Sequence, residues 1–161
     1  MNPPSHLYLD TNIFIDLFEG GPATRQLEIL LMLARDKQSG PYFSISELTY
    51  SELIVKPYKA KDDEALAVYD DMLKTSEWLS VLPVDRTILR YAAMMRAGSG
   101  NLKLPDAIHV ATALQTDCSH FLSADLGIRG PYSLPEDAAA APLVVLRPDD
   151  ATLTSLIESL S

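Results

Sequence analysis

LYLDTNIFID, residues 7–16, decides the fold: an apolar run of three residues ends in an acid, and a hydroxyl, an amide and a second apolar group follow. His6 to Leu9 reads as a short strand ended by Asp10, and Thr11 or Asn12 caps a helix running to about Phe18. The pattern of an acid set in apolar surroundings recurs three times, at Glu52 in ELTYSELIV, Asp106 in KLPDAIHVATAL and Asp125 in HFLSADLGIR. The hydrophobic neighbours of these four acids draw them inward, and an ionised carboxylate removed from water needs a partner, a proton or a cation. No Arg or Lys stands beside them in the same apolar runs except Lys103, so a divalent metal is the working expectation.

Outward from that stretch, strands and helices alternate. Gly20-Gly21-Pro22 stops the first helix, and Leu27, Leu30, Leu31 and Ala34 keep helical spacing from Ala23 to about Lys37. A second strand is expected at Tyr42–Ile45. Ser46 caps a helix with Leu48, Glu52 and Val55 on related faces, and Lys56-Pro57 is expected to end it. Leu66, Tyr69, Met72 and Leu73 face inward on a helix from about Asp62 to Glu77, and Leu79–Val84 reads as a third strand. Asp85 caps a helix that ends at Gly98-Ser99-Gly100. Pro105 suits the first turn of the next helix, which puts Asp106 at its N-terminus. His120–Ser123 and Leu143–Leu146 are the last strands, and a final helix spans about Asp150 to Leu160 with Leu153, Leu156, Ile157 and Leu160 turned to its own core.

This alternation predicts an α/β sandwich with a mostly parallel five-stranded sheet flanked by helices, in one domain over 1–161 with a loop at 130–142. Function in such sheets gathers beyond the carboxyl ends of strands. Asp10 and Asp125 follow strands one and four, Asp106 opens a helix, and Glu52 lies in the helix after strand two, so all four can converge on one rim.

Composition sets limits on what such a rim does. Hydrophobic residues are 47% and charged residues 22%, ordinary globular values, and no apolar run reaches the roughly 20 residues of a membrane helix. The single Cys118 excludes an intrachain disulfide, and MNPPSHLYLD has neither the basic nor the apolar region of a signal peptide, so a cytoplasmic location is expected. The net charge of −9 argues against binding nucleic acid through a basic surface, yet it is compatible with phosphates held through metal ions. Two carboxylates about 4 Å apart repel by roughly 4 kcal/mol at an effective dielectric near 20, and a dication reverses that sign. Oxygen ligands favour Mg²⁺ or Mn²⁺ over zinc, and phosphoryl chemistry with a water of lowered pKa is the natural use.

LDTNIFID at a strand end, SEL at 51–53, LPDAIHVATA at a helix start and FLSAD at a strand end stand in the order and spacing of the PIN-domain ribonucleases, and the chain resembles in particular their VapC-type toxins. The resemblance covers nearly the whole chain. It implies a PIN-like three-layer sandwich and an Mg²⁺- or Mn²⁺-dependent endoribonuclease, with Asp10, Glu52, Asp106 and Asp125 as metal-site and catalytic acids. It also implies cleavage of RNA to a 5′-phosphate and a 3′-hydroxyl, an antitoxin partner and a homodimer. Thr11, Asn12 and Ser123 are carried over as supporting groups that orient carboxylates. Lys103, Arg96 and Arg129 are candidates for phosphate contact at the rim.

His109, one turn after Asp106, is expected to pack, and Cys118 to be a partly buried, unreactive thiol. Asp62-Asp63, Asp70-Asp71 and Asp149-Asp150 read as helix starts or solvated faces, and Asp16 as a peripheral acid. Two other functions compete. A noncatalytic RNA- or protein-binding domain would keep the fold without turnover. A phosphatase with Asp10 as nucleophile wants a second acid two positions on, where this chain has Asn12.

Overall fold

The computed structural model describes residues 2–37, 39–98, 100–134, 136–137 and 139–161. Strand β1 (Leu7–Leu9) is central, with β2 (Phe43–Ser46) on one side and β4 (His120–Leu122) on the other, so that Leu7 lies opposite both Phe43 and His120. Strands β3 (Leu79–Leu82) and β5 (Val144–Leu146) complete the sheet in the order β3-β2-β1-β4-β5, with every pairing parallel. Helices cover both faces, so β1 reads as a continuous apolar run, and in β2 even Ser44 and Ser46, which alternate with Phe43 and Ile45, are buried. Leu7, Tyr8 and Leu9 are all at most 1% exposed.

Alternation instead sorts side chains between two cores. Leu7, Leu9 and Leu122 join Leu27 and Leu30 of α2 (Thr24–Asp36) and Leu153 and Leu156 of α7 (Asp150–Leu160). Tyr8 and Phe121 face the other way, onto Ile88 and Ala92 of α5 (Arg86–Gly98) and Val110 and Ala111 of α6 (Leu104–Gln115). Tyr8 stacks on Phe121 with ring centroids 4.9 Å apart. The result is the expected three layers. Helix α6 is buried continuously from Ala107 to Ala113, and its alanines let it lie close against the sheet. The remaining helices are α1 (Thr11–Glu19), α3 (Glu47–Ala60) and α4 (Asp63–Met72).

The chain moves outward from β1 through β2 to β3, then returns to the far side of β1 with β4. That reversal opens a crevice beyond the carboxyl ends of β1 and β4, the place where such sheets bind ligands. Asp10 and Ser123 are the first residues past those two strand ends.

Several local expectations change. Asp10 itself caps α1, by accepting from the Thr11 amide, which frees Thr11 and Asn12 from capping. Helix α3 does not stop at Lys56-Pro57 but continues to Ala60. Pro57 is buried in its last turn, where packing offsets one missing hydrogen bond. Val55 is exposed rather than sharing an inward face with Leu48. Helix α4 ends at Met72, short of Glu77, because Thr75 and Ser76 turn the chain back, with the Val81 amide donating to Thr75 Oγ1 and the Ser76 amide to the Leu79 carbonyl.

The segment 130–142 is tied to the sheet through an antiparallel bridge between Tyr132 and Leu143. Pro135 and Ala138 of that segment, and Ser99 of the Gly98-Ser99-Gly100 break, lie outside the described residues. Gly130 has φ +58°, and a Cβ there would meet Val145 Cγ2 at 2.7 Å, so both conformation and space require glycine. Among the described residues no helix is long and apolar enough to cross a membrane. Cys118 is buried, and desolvation pushes its thiol up to about 11, the inert case.

Candidate active site

Asp10 leaves β1 with extended backbone and turns its carboxylate into the crevice, where it is 4% exposed. Oδ1 accepts from the Thr11 amide at 2.8 Å, while Oδ2 accepts from Ser123 Oγ at 2.6 Å and Asn12 Nδ2 at 3.0 Å. Three neutral donors thus stabilise the one acid of the four that is deeply buried. The expectation that all four are drawn inside is corrected: Glu52 is 36% exposed at its side chain, Asp106 is partly buried, and Asp125 is exposed. The apolar residues around these three point into the cores while the acids themselves stay at the rim.

Thr11, Asn12 and Ser123 connect the strand ends. Thr11 Oγ1 donates to Glu52 Oε1 at 2.7 Å, bridging α1 to α3. Asn12 donates to Ser123 Oγ at 3.2 Å and accepts the Ala124 amide at 3.0 Å. Ser123 Oγ also accepts the Asp125 amide, so a single hydroxyl joins Asp10 to the loop that carries Asp125.

His109 does more than fill space. It is 1% exposed, with Nε2 2.7 Å from Glu52 Oε1 and Nδ1 2.7 Å from Tyr8 Oη. Burial, followed by the charge of Asp10, pushes the Tyr8 phenol well above its ordinary value, so the phenol is a donor. The consistent tautomer has Tyr8 donating to Nδ1 and Nε2–H donating to Glu52. Burial alone would raise the Glu52 carboxyl, but the hydrogen bonds from His109 and Thr11 outweigh it and hold the group below its ordinary range.

Asp106 stands in the first turn of α6. Its carboxyl is raised by burial first and then by the charges of Asp125 and Asp10, with His109 and Lys103 offsetting part of the effect. Asp125 turns its own loop, accepting the Gly127 amide at 2.8 Å, and so also serves as a turn former. Among the described residues no Lys or Arg lies within 4.0 Å of Asp10, Glu52, Asp106 or Asp125 in an ion pair, and His109 is their one such neighbour.

The described residues hold no group of three His, Cys, Asp or Glu side chains already closed into a ligand set. The donor chemistry nevertheless fits a hard cation: every acid offers oxygen, and the negative field of Asp125 and Asp10 on Asp106 is only partly offset by His109 and Lys103.

Lys103 immediately precedes α6 and is exposed, and Arg129 is exposed in the loop after Asp125. Arg96 instead donates to the Leu102 carbonyl at 3.3 Å and ties α5 to the approach of α6. Asp16 accepts from Thr24 Oγ1 at 3.0 Å and joins α1 to α2. Asp62 and Asp149 cap helices as expected. Tyr8 and Arg147 went unnoticed in the sequence. Tyr8 lies two residues before Asp10 and therefore on the opposite sheet face from its neighbours, which was a usable signal, whereas Arg147 had none.

The family model for the PIN domain matches residues 7–131. Solved structures share the fold. A toxin-antitoxin complex from Klebsiella pneumoniae has TM-score 0.52 and 24% identity over 90% of this chain and 98% of that one. VapBC2 from Rickettsia felis, bound to a DNA fragment from the promoter, has TM-score 0.59 and 16% identity over 88% and 97%. FitAcB from Neisseria gonorrhoeae has TM-score 0.55 and 20% identity over 88% and 97%. No curated protein matches by sequence.

Proposed function

Since the chain belongs to the PIN-domain family, we propose that it is a metal-dependent endoribonuclease and the toxin of a VapBC-type toxin–antitoxin pair. The observation that carries this reading is the placement of Asp106 in the first turn of α6, near enough to Asp125 and Asp10 for their charges to act on it, with no Lys or Arg paired to it among the described residues. Asp10, Asp106, Glu52 and Asp125 are the residues assigned to hold Mg²⁺ or Mn²⁺. When bound, the cation supplies the positive charge that activates water and offsets charge developing on the phosphodiester.

The rest is work for side chains. Ser123 and Asn12 fix the rotamer of Asp10, and Thr11 and His109 both donate to Oε1 of Glu52, leaving Oε2 without a hydrogen-bond donor among the described residues. Lys103 and Arg129, exposed beside the rim, are assigned to phosphates flanking the cut. With a net charge of −9 the protein has little general attraction for RNA, so affinity has to come from the cation and these few contacts.

The antitoxin is part of the same proposal. A largely apolar trough between α1, α3 and α4 is lined by Ile15, Phe18, Leu53, Pro57, Val68 and Tyr69, with Glu52 also in its wall. Ile15, Phe18 and Val68 are 42%, 37% and 50% exposed, and an apolar partner segment would cover them. A homodimer, implied by the resemblance, belongs to the same reading.

A noncatalytic binding domain is favoured by one observation, the three neutral donors that already hold the Asp10 carboxylate. Cleavage assays separate the two. Purified protein incubated with a panel of RNAs and Mn²⁺ is expected to cut and to stop with chelator, whereas metal-independent binding without any cleavage would establish the alternative.

A further inference from the structure

Arg147 follows β5, beyond the family-matched stretch that ends at residue 131. Its guanidinium pairs with no carboxylate among the described residues. Instead Nη1 donates to the carbonyls of Ser123 at 3.0 Å and Asp125 at 2.6 Å, and Nη2 donates to the carbonyl of Ile128. An exposed loop would ordinarily leave such carbonyls to water. Here one partly buried, charged fork gathers three of them, and charge-assisted bonds are stronger than neutral ones.

The loop these bonds hold, residues 123–128, carries Asp125. Its other ties are shorter in reach: the Asp125 amide donates to Ser123 Oγ, the Gly127 amide to Asp125 Oδ1, the Ile128 amide to the Asp125 carbonyl and the Ala124 amide to Asn12, while Arg129 Nε reaches a single carbonyl, that of Leu126. Asp125 itself is exposed, so packing does not fix it. A Lys at position 147 would keep the charge but, as a compact point donor, would not span three carbonyls in the fork geometry.

We infer that Arg147 is a positioning residue: by clamping the main chain at Ser123, Asp125 and Ile128 it holds the Asp125 carboxylate at the cation site. The clamp places positive charge behind the loop, on carbonyls rather than on the carboxylate, whose Oδ1 is turned only by the Gly127 amide within the loop itself. The purpose assigned to it rests on the metal-dependent reading above.

The test compares wild type, Arg147→Lys, Asp125→Asn and the double variant by amide hydrogen exchange without metal, Mn²⁺ titration calorimetry and thermal melting. Arg147→Lys is expected to speed exchange at the Asp125 and Ile128 amides at least about tenfold and to weaken Mn²⁺ binding about tenfold. In the Asp125→Asn background the same change should alter Mn²⁺ binding less than about twofold, because the effect runs through Asp125. Unchanged exchange overturns the clamp, and so does an equal loss of Mn²⁺ affinity in both backgrounds, which is what a merely structural arginine would give. Should Arg147→Lys melt too low to measure, Arg147→Gln at lower temperature faces the same criteria. Wild type that binds no Mn²⁺ contradicts the metal-dependent reading itself, and the exchange data still decide whether the loop is clamped.

Discussion

His109 Nε2 lies 2.7 Å from Glu52 Oε1, and the opposite ring nitrogen lies 2.7 Å from Tyr8 Oη, so a buried relay runs from the centre of the sheet to an acid at its rim. Removing one member leaves another unpaired. Tyr8→Phe is expected to cost about 1–2 kcal/mol and His109→Leu about 2–3 kcal/mol, the latter because it orphans the buried phenol. The double variant should cost less than the sum, since neither hydroxyl nor imidazole then waits for a partner. Urea melts of the four proteins check this. Additive losses would mean that the relay is not coupled.

Asp106 and Glu52 give opposite pH signatures. Asp106 has a raised carboxyl, so its ionisation destabilises the folded chain at neutral pH, and that cost disappears as the pH falls below its ordinary value of 3.8. Asp106→Asn should therefore melt higher than wild type near neutrality and equally at about pH 3, by no more than a few degrees because the group is partly solvated. Mn²⁺ should raise the melting point of wild type but not of this variant. A lower melting point for Asp106→Asn at neutral pH would contradict the like-charge account.

Glu52 is depressed, so its contribution to stability is present above its ordinary value of 4.5 and is lost as the pH falls through the lower folded value. Thr11→Val removes one of its two donors and should shift that acid loss to higher pH. Melting curves taken between about pH 2 and pH 5 report it.

Ser123 Oγ serves Asp10, Asn12 and the Asp125 amide together. Ser123→Ala should lower RNA cleavage about 10–100-fold, the usual cost of losing a neighbour that orients a metal-binding carboxylate, and should lower stability by about 1–3 kcal/mol because the buried Asp10 carboxylate loses a donor. Wild-type cleavage by Ser123→Ala would remove Asp10 orientation from the account.

Much of this was legible in the sequence because it is local. LYLD announces a strand and the cap of the next helix, LPDA a helix start, and Leu153, Leu156 and Leu160 an inward face that the structure shows buried. The five parallel strands and three layers follow from that alternation. What was not legible depends on contacts far apart in the chain. Periodicity cannot show that Pro57 packs inside a helix, that His109 meets Tyr8 across 101 residues, or that Arg147 reaches back 24 residues to Ser123. The inward pull on the acids was overstated for the same reason: apolar neighbours bury themselves, and whether the acid goes with them depends on which way each element faces, as the exposed Asp125 beside buried Leu122 shows.

The most direct measurement of the central claim is cleavage of an end-labelled RNA panel by wild type, Asp10→Ala and Asp106→Asn, with Mn²⁺ and with chelator. Wild type should cut only with the metal, and both variants should lose at least about a hundredfold in rate, more than the loss of a hydrogen-bonding neighbour costs. Cleavage that persists in chelator, or that survives both substitutions, would contradict it.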